Sequence, residues 1–167
     1  MTGAASVFQT VFTLHYPAIH RYFCACFNRA AAEDLSQSVF AALWKQMQNP
    51  DFDEPDNWRA WIFRAAVNRK NDYLRHQLRR EPTVSLYEET DHAGADEGEE
   101  TDLRLSVQAA MRALKEADRE ILILKQLGFS SEESGELLGI SASAARSRLA
   151  KAKERFQEKL AERGVMI

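Results

Sequence analysis

Apolar residues in the first 80 positions recur at steps of three and four. Phe8, Val11, Phe12, Tyr16, Ile19, Tyr22, Phe23, Cys26 and Phe27 make one wide stripe, the period of an amphipathic helix. Pro17 lies within it and either kinks the helix or starts a second one. Another helix is predicted from about Ala31 to Gln48, with Leu35, Val39, Leu43, Trp44 and Met47 facing inward. Glu33 and Asp34 fall in its first turn, where the helix dipole favours acids. Asn49-Pro50 and the acidic run to Asn57 read as a loop. Asn57 can cap a third helix from Trp58 to about Arg80. Its inward set is Trp58, Trp61, Ile62, Ala65, Tyr73 and Leu74.

The sharpest local pattern is GFSSEESGELLGISASAARSRLAKAKERF, from Gly128 to Phe156. Ser130 and Glu133 have capping-box spacing and start a helix. Leu137 and Leu138 give it an apolar face, Gly139 supplies a turn, and Ile140 returns to the core. Ser141 is a good N-cap for the next helix. That helix carries Arg146, Arg148, Lys151, Lys153, Arg155 and Lys159 against Glu154 and Glu158. A short helix, a glycine turn and a basic second helix match the geometry that lays a recognition helix in a DNA major groove. A solvated C-terminal helix on a bundle is the alternative.

Composition agrees with helices. The chain is 45% hydrophobic, with only 7 Gly and 4 Pro, and β-branched runs are scarce. The predicted fold is all-α, with two small helical domains. No apolar run reaches the ~18 residues of a membrane span, and no secretory signal is visible at the N-terminus. The expected location is therefore cytoplasmic.

Charge divides the chain further. The formal net charge is −3, but residues 81–102 hold nine acids and no Lys or Arg. The flanking segments, 1–80 and 103–167, are each net basic. The middle stretch, EPTVSLYEETDHAGADEGEETD, is poor in apolar residues and is expected to be a disordered linker. It would span about 26 Å as a flexible coil and up to about 73 Å extended, against about 35 Å per DNA turn. The third helix carries Arg59, Arg64, Arg69, Lys70, Arg75, Arg79 and Arg80, with Asp72 its only acid. Such a cationic face suits phosphates; a solvated basic helix is the alternative, and the second basic helix in the chain weighs against it.

Enzyme chemistry finds little support. There is no Walker loop and no credible paired-carboxylate or nucleophile site, so no catalytic residue and no cofactor is assigned. His20 and Cys24 share a helical face, but Cys26 points about 200° away from Cys24. No second ligand pair follows, so no metal site is assigned.

Two blocks together carry a family resemblance. AAEDLSQSVFAALW (Ala31–Trp44) followed by NWRAWIFRAAVNRKNDYLRHQLRR (Asn57–Arg80) resembles region 2 of extracytoplasmic-function sigma factors. ADREILILKQLGFSSEESGELLGISASAARSRLAKAKERF (Ala117–Phe156) resembles their region 4. The blocks occur in the family's order, with a variable linker between. The resemblance implies an alternative sigma factor without catalytic activity. It would bind core RNA polymerase, through the β′ clamp helices and the β subunit, and direct promoter recognition and transcription initiation.

Residue roles follow from the resemblance. Asp34, Gln37 and Phe40 match the D-x-x-Q-x-x-F pattern of the polymerase-docking helix; Phe40 as a core residue is the alternative. The third helix and the loop before it resemble the part that opens the minus-10 element, implying DNA roles for Arg59, Arg64, Asn68, Asp72 and Arg75. Asp72 pairs with Arg69, Lys70 or Arg75, or presents an acceptor to a base. Any pocket for a flipped base falls in the loop 50–57. On the recognition helix, Ser143, Arg146, Arg148 and Lys151 are the polar candidates for the minus-35 element. An anti-sigma factor is expected by analogy alone.

The second block departs from the family at Ser134, where a bulky aliphatic residue is usual, at Gly135, and at Ala144-Ala145, where Thr-Val is frequent. Lost methylenes at about 0.8 kcal/mol each and a helical glycine at about 1 kcal/mol predict a marginal unit, or one whose helices pack differently. Contacts from Ala144 and Ala145 to bases could only be apolar. Two other functions stay open: a helix-turn-helix regulator that binds duplex DNA without polymerase, and a polymerase-binding adaptor. The Asp34/Gln37/Phe40 surface discriminates the first, and dispensable basic helices would mark the second.

Overall fold

A computed structural model describes residues 3–80 and 102–165. They form α1 (Gly3–Cys26), α2 (Arg29–Met47), α3 (Trp58–Arg80), α4 (Asp102–Arg112), α5 (Glu116–Gln126), α6 (Ser131–Leu138) and α7 (Ala142–Ala161). No strand occurs among the described residues. Two units result, one holding α1–α3 and the other α4–α7. The predicted linker lies outside the described residues, except for Asp102, which opens α4.

In the first unit α1 runs unbroken through Pro17. Pro17 is exposed, so water can satisfy the carbonyl that the ring leaves unpaired. α2 begins earlier than its apolar pattern predicts. The Asn28 side chain accepts from the Ala31 amide at 2.9 Å and caps it. Glu33 and Asp34 therefore lie beyond the first turn, and Glu33 pairs with Arg29 at 3.1 Å. Asn57 caps α3 as predicted, accepting from the Ala60 amide at 3.1 Å.

The core of this unit comes from all three helices. Ile19, Tyr22, Phe23, Phe40, Leu43, Ile62 and Phe63 are almost inaccessible. Burying each such side chain fully contributes about 1.5–3 kcal/mol. α3 turns in Ile62, Phe63, Ala66 and Val67, a stripe displaced from the predicted one. Trp58, Trp61, Ala65, Tyr73 and Leu74 are only half-buried. Trp44, predicted to face inward, is 38% exposed and sits edge-on to Phe8.

In the second unit, Ile121, Ala145 and Ala152 form a core against which Leu122, Leu138, Ile140 and Leu149 pack. Small residues at 145 and 152 let α7 lie close to α5. Ser130 and Glu133 make the predicted capping box, through Glu133 N–H to Ser130 Oγ at 3.1 Å and Ser130 N–H to Glu133 Oε1 at 3.0 Å. Gly139 ends α6 with φ +70°, a left-handed conformation that glycine adopts without a Cβ penalty. Ser141 then caps α7, accepting from the Ala144 amide at 3.0 Å.

Candidate functional site

The outer face of α2 separates the three residues assigned to polymerase docking. Asp34 and Gln37 are exposed, and Ala41 and Trp44 extend their stripe at helical steps. Phe40 turns the other way. It is 2% exposed and packs on Phe12 and Tyr16, with ring centroids 5.0 and 5.7 Å away. Of the two readings open for it, the core one describes its position. Beside the stripe, Phe8, Phe12, Phe40, Ala41 and Trp44 line an apolar groove of about 500 Å³. Sequence periodicity placed Trp44 in the core and so missed it as part of this surface.

On α3, Arg64, Asn68, Asp72 and Arg75 are exposed, while Arg59 is half-buried. Lys70 is buried and leaves the predicted cationic face. Asp72 forms an ion pair with Arg75. Both partners are well exposed, so the pair adds little stability and can open to a ligand. Arg64 and Asn68 line a groove of about 310 Å³ between α2 and α3, together with Gln46, Trp61 and Arg69. Arg59, Asp72 and Arg75 stand outside that groove. On α1, burial, reinforced by the Arg59 charge, holds His15 below the ordinary histidine pKa of 6.5.

The loop before α3 contributes an aromatic group. Phe52 packs on Trp58 and Trp61 with centroids 6.3 and 6.2 Å apart, and the two indoles meet at 6.0 Å. All three side chains are partly exposed. Aromatic faces beside cations are what unpaired bases stack on. The signal was present in sequence as three aromatics just ahead of, and within, the start of a basic helix.

α7 presents three faces. Ala145, Leu149, Ala152, Phe156 and Leu160 turn inward. Ala145 is fully buried and so lies off the outer surface of α7, whereas Ala144 is exposed. Ser143, Arg146 and Ser147 are exposed. Arg148 and Lys151 lie toward α5, where they line a groove of about 380 Å³ with Lys115, Asp118, Ser147 and Arg155. The four minus-35 candidates thus divide, with Arg148 and Lys151 in the groove and Ser143 and Arg146 outside it. Ser147, Lys115 and the Asp118–Arg155 pair were not singled out from sequence. Arg155 Nη1 donates to both Asp118 carboxylate oxygens at 3.0 Å.

Ser134 and Gly135 are buried in α6. A Cβ added to Gly135 would stand 2.7 Å from the Ile140 carbonyl oxygen. The helical glycine is therefore required by the close approach of the turn, and its helix-propensity cost is matched by a steric need.

The remaining candidate chemistry is local. His20 and Cys24 lie 3.7 Å apart on one face of α1, whereas Cys26 is buried. Burial raises the Cys24 thiol pKa, with Arg29 opposing and Glu33 adding to the rise. No helix among the described residues is long and apolar enough to cross a membrane.

Comparison with known proteins finds two family models on this chain. Sigma-70 region 2 matches residues 11–80, and sigma-70 region 4 matches residues 104–156. The RNA polymerase sigma factor CarQ of Myxococcus xanthus is 30% identical over 163 residues, 96% of this chain and 92% of that protein. The ECF RNA polymerase sigma factor SigE of Mycolicibacterium smegmatis is 28% identical over 144 residues, 81% of this chain and 54% of that one. Among solved structures, the sigma factor RpoE in complex with the anti-sigma factor NepR from Bartonella quintana is similar. Its TM-score is 0.76 at 26% identity, covering 92% of this chain and 96% of that one.

Proposed function

Because the chain belongs to the extracytoplasmic-function subfamily of sigma-70 factors, and so is an alternative sigma factor directing transcription initiation, we propose that its three exposed surfaces divide the work of that role. The α2 stripe of Asp34 and Gln37 docks on the β′ clamp helices of core RNA polymerase. Phe40 acts from beneath, fixing α2 on α1. The adjoining groove, with Phe12 and Trp44 each 38% exposed, extends the docking surface with apolar contact.

α3 and its preceding loop recognise and help melt the minus-10 element. Phe52, Trp58 and Trp61 offer stacking faces to unpaired bases. Arg64 and Asn68 line the adjacent groove, where a guanidinium meets phosphate and an amide reads a base edge. Asp72 and Arg75 border it as an exposed pair. α7 enters the major groove at the minus-35 element, with Ser143 and Arg146 toward base edges and Arg148 and Lys151 toward backbone phosphate. The protein has no catalytic activity of its own, leaves nucleotide chemistry to the polymerase, and acts in the cytoplasm. An anti-sigma factor is a further partner in this reading, supported by the complex in which the similar RpoE was solved.

The observation that carries the proposal is the coexistence of an exposed Asp34/Gln37 stripe with two cationic helices in separate units. Run-off transcription with purified core polymerase and genomic fragments tests it. Discrete transcripts that require both the chain and core enzyme are expected. Binding to duplex DNA without polymerase, with no added transcripts, would instead establish a free-standing helix-turn-helix regulator.

A further inference from the structure

Asp118 is an acid with almost no solvent contact, on the first turn of α5. Burying a carboxylate is costly unless a partner and hydrogen bonds compensate. Its partner is Arg155, 37 residues further along the chain, on α7. Both carboxylate oxygens accept from the same nitrogen, Nη1, at 3.0 Å. The guanidinium therefore keeps three further donors on Nη2 and Nε. Its side chain is 50% exposed, so an anion can approach it from solvent.

The surroundings favour an anion. The groove beside the pair is lined by Lys115, Arg148, Lys151 and Arg155 against Asp118 alone. Asp118 is already matched by Arg155, which leaves three cations without an opposing acid in the lining. Ser147 adds a hydroxyl. A guanidinium held in one orientation suits the geometry of a phosphate better than a freely rotating cation does.

We infer that this groove between α5 and α7 seats a backbone phosphate of the upstream promoter duplex. Arg155 contacts the phosphate, and Asp118 is a positioning residue that holds Arg155 in place. The inference rests on the reading that α7 enters the DNA, and it adds to that reading a grip at the flank of the helix. Register on the duplex is set by such phosphate contacts, while base edges carry the sequence information.

The test uses holoenzyme on promoter duplex, with affinity measured over a range of salt. Each phosphate contact adds about −0.9 to the slope of log affinity against log salt. Arg155→Ala is expected to flatten the slope by about 0.9 and to weaken binding alike on matched and mismatched promoters. Asp118→Ala, and Asp118→Asn as the variant that keeps a neutral acceptor, are expected to weaken binding when Arg155 is present. They should add nothing in the Arg155→Ala background. Thermal melting of each variant accompanies the titrations. An unchanged slope for Arg155→Ala, with affinity following melting temperature, would make the pair a structural staple and overturn the inference. Arg146→Ala serves as the control. If it alters promoter preference while Arg155→Ala leaves the slope alone, the phosphate seat falls and the DNA role of α7 stands. If neither moves, both fall.

Discussion

Gly135 and Ile140 meet backbone to backbone. The Ile140 amide donates to the Gly135 carbonyl oxygen at 2.9 Å, and a Cβ at position 135 would press to 2.7 Å from the Ile140 carbonyl oxygen. The obstacle is main chain at a turn whose next glycine is already left-handed, so it cannot rotate away as a side chain would. Gly135→Ala gains about 1 kcal/mol of helix propensity but faces an overpacking cost of about 1–3 kcal/mol. The expected result is net destabilisation of the second unit, seen as faster amide exchange across α6 and α7 in the intact chain. Slower exchange would mean that α6 can retreat from the turn.

The α2 surface gives a prediction that separates contact from support. Asp34→Arg with Gln37→Ala should abolish capture by core polymerase while leaving thermal melting close to that of the parent, since both side chains are exposed. Phe40→Ala should behave differently. Phe40 is packed on Phe12 and Tyr16, and removing a buried phenyl costs about 3–5 kcal/mol. Its binding loss should follow its melting temperature. Retained capture by the Asp34/Gln37 variant would remove α2 from the docking surface.

These contrasts show what the sequence could convey. The Ser130–Glu133 box, the Gly139 turn and the Ser141 cap each depend on residues three or four apart, so their chemistry is visible in the string itself. Phe40 and Trp44 are harder. Both lie near the edge of the α2 apolar stripe, and the periodicity that finds the stripe does not say which flank α1 covers. Lys70 fails for the same reason, because a cation on a basic helix reads as exposed until its neighbours are known. Gly135 reads as a cost in the sequence because its benefit depends on where the following turn folds back. The Asp118–Arg155 pair spans 37 residues, and nothing local links an acid on α5 with one of several cations on α7.

His15 gives the pH prediction. Its pKa is lowered in the fold by burial and then by Arg59, so the folded state resists protonation more than the unfolded chain does. Above the unfolded value near 6.5 the ring is neutral in both states and its contribution to stability is fully present. As pH falls through that value the unfolded chain takes up the proton first, and stability declines until the folded pKa is passed. His15→Gln should therefore lose less stability than the parent between pH 7.5 and pH 5.5, as read by urea unfolding monitored through tryptophan fluorescence. A larger loss in the variant would mean that His15 gains an acidic partner instead.

The final prediction concerns α3 and asks whether its polar face opens DNA or merely holds it. Asn68 lines the α2–α3 groove beside Trp61, whereas Arg75 is paired with Asp72 on open surface. A groove of about 310 Å³ has room for a flat base, and reading one requires that it first leave the duplex. Asn68→Ala with Arg75→Ala should therefore reduce permanganate reactivity of minus-10 thymines in holoenzyme complexes while closed-complex affinity changes little. Trp61→Ala, which removes a stacking face, should act in the same direction, with a cost of about 1–3 kcal/mol if one base stacks there. Undiminished thymine reactivity combined with a collapse of duplex binding would assign α3 to closed-complex phosphate contact, and the Phe52–Trp58–Trp61 group would then be packing for the loop rather than a platform for bases.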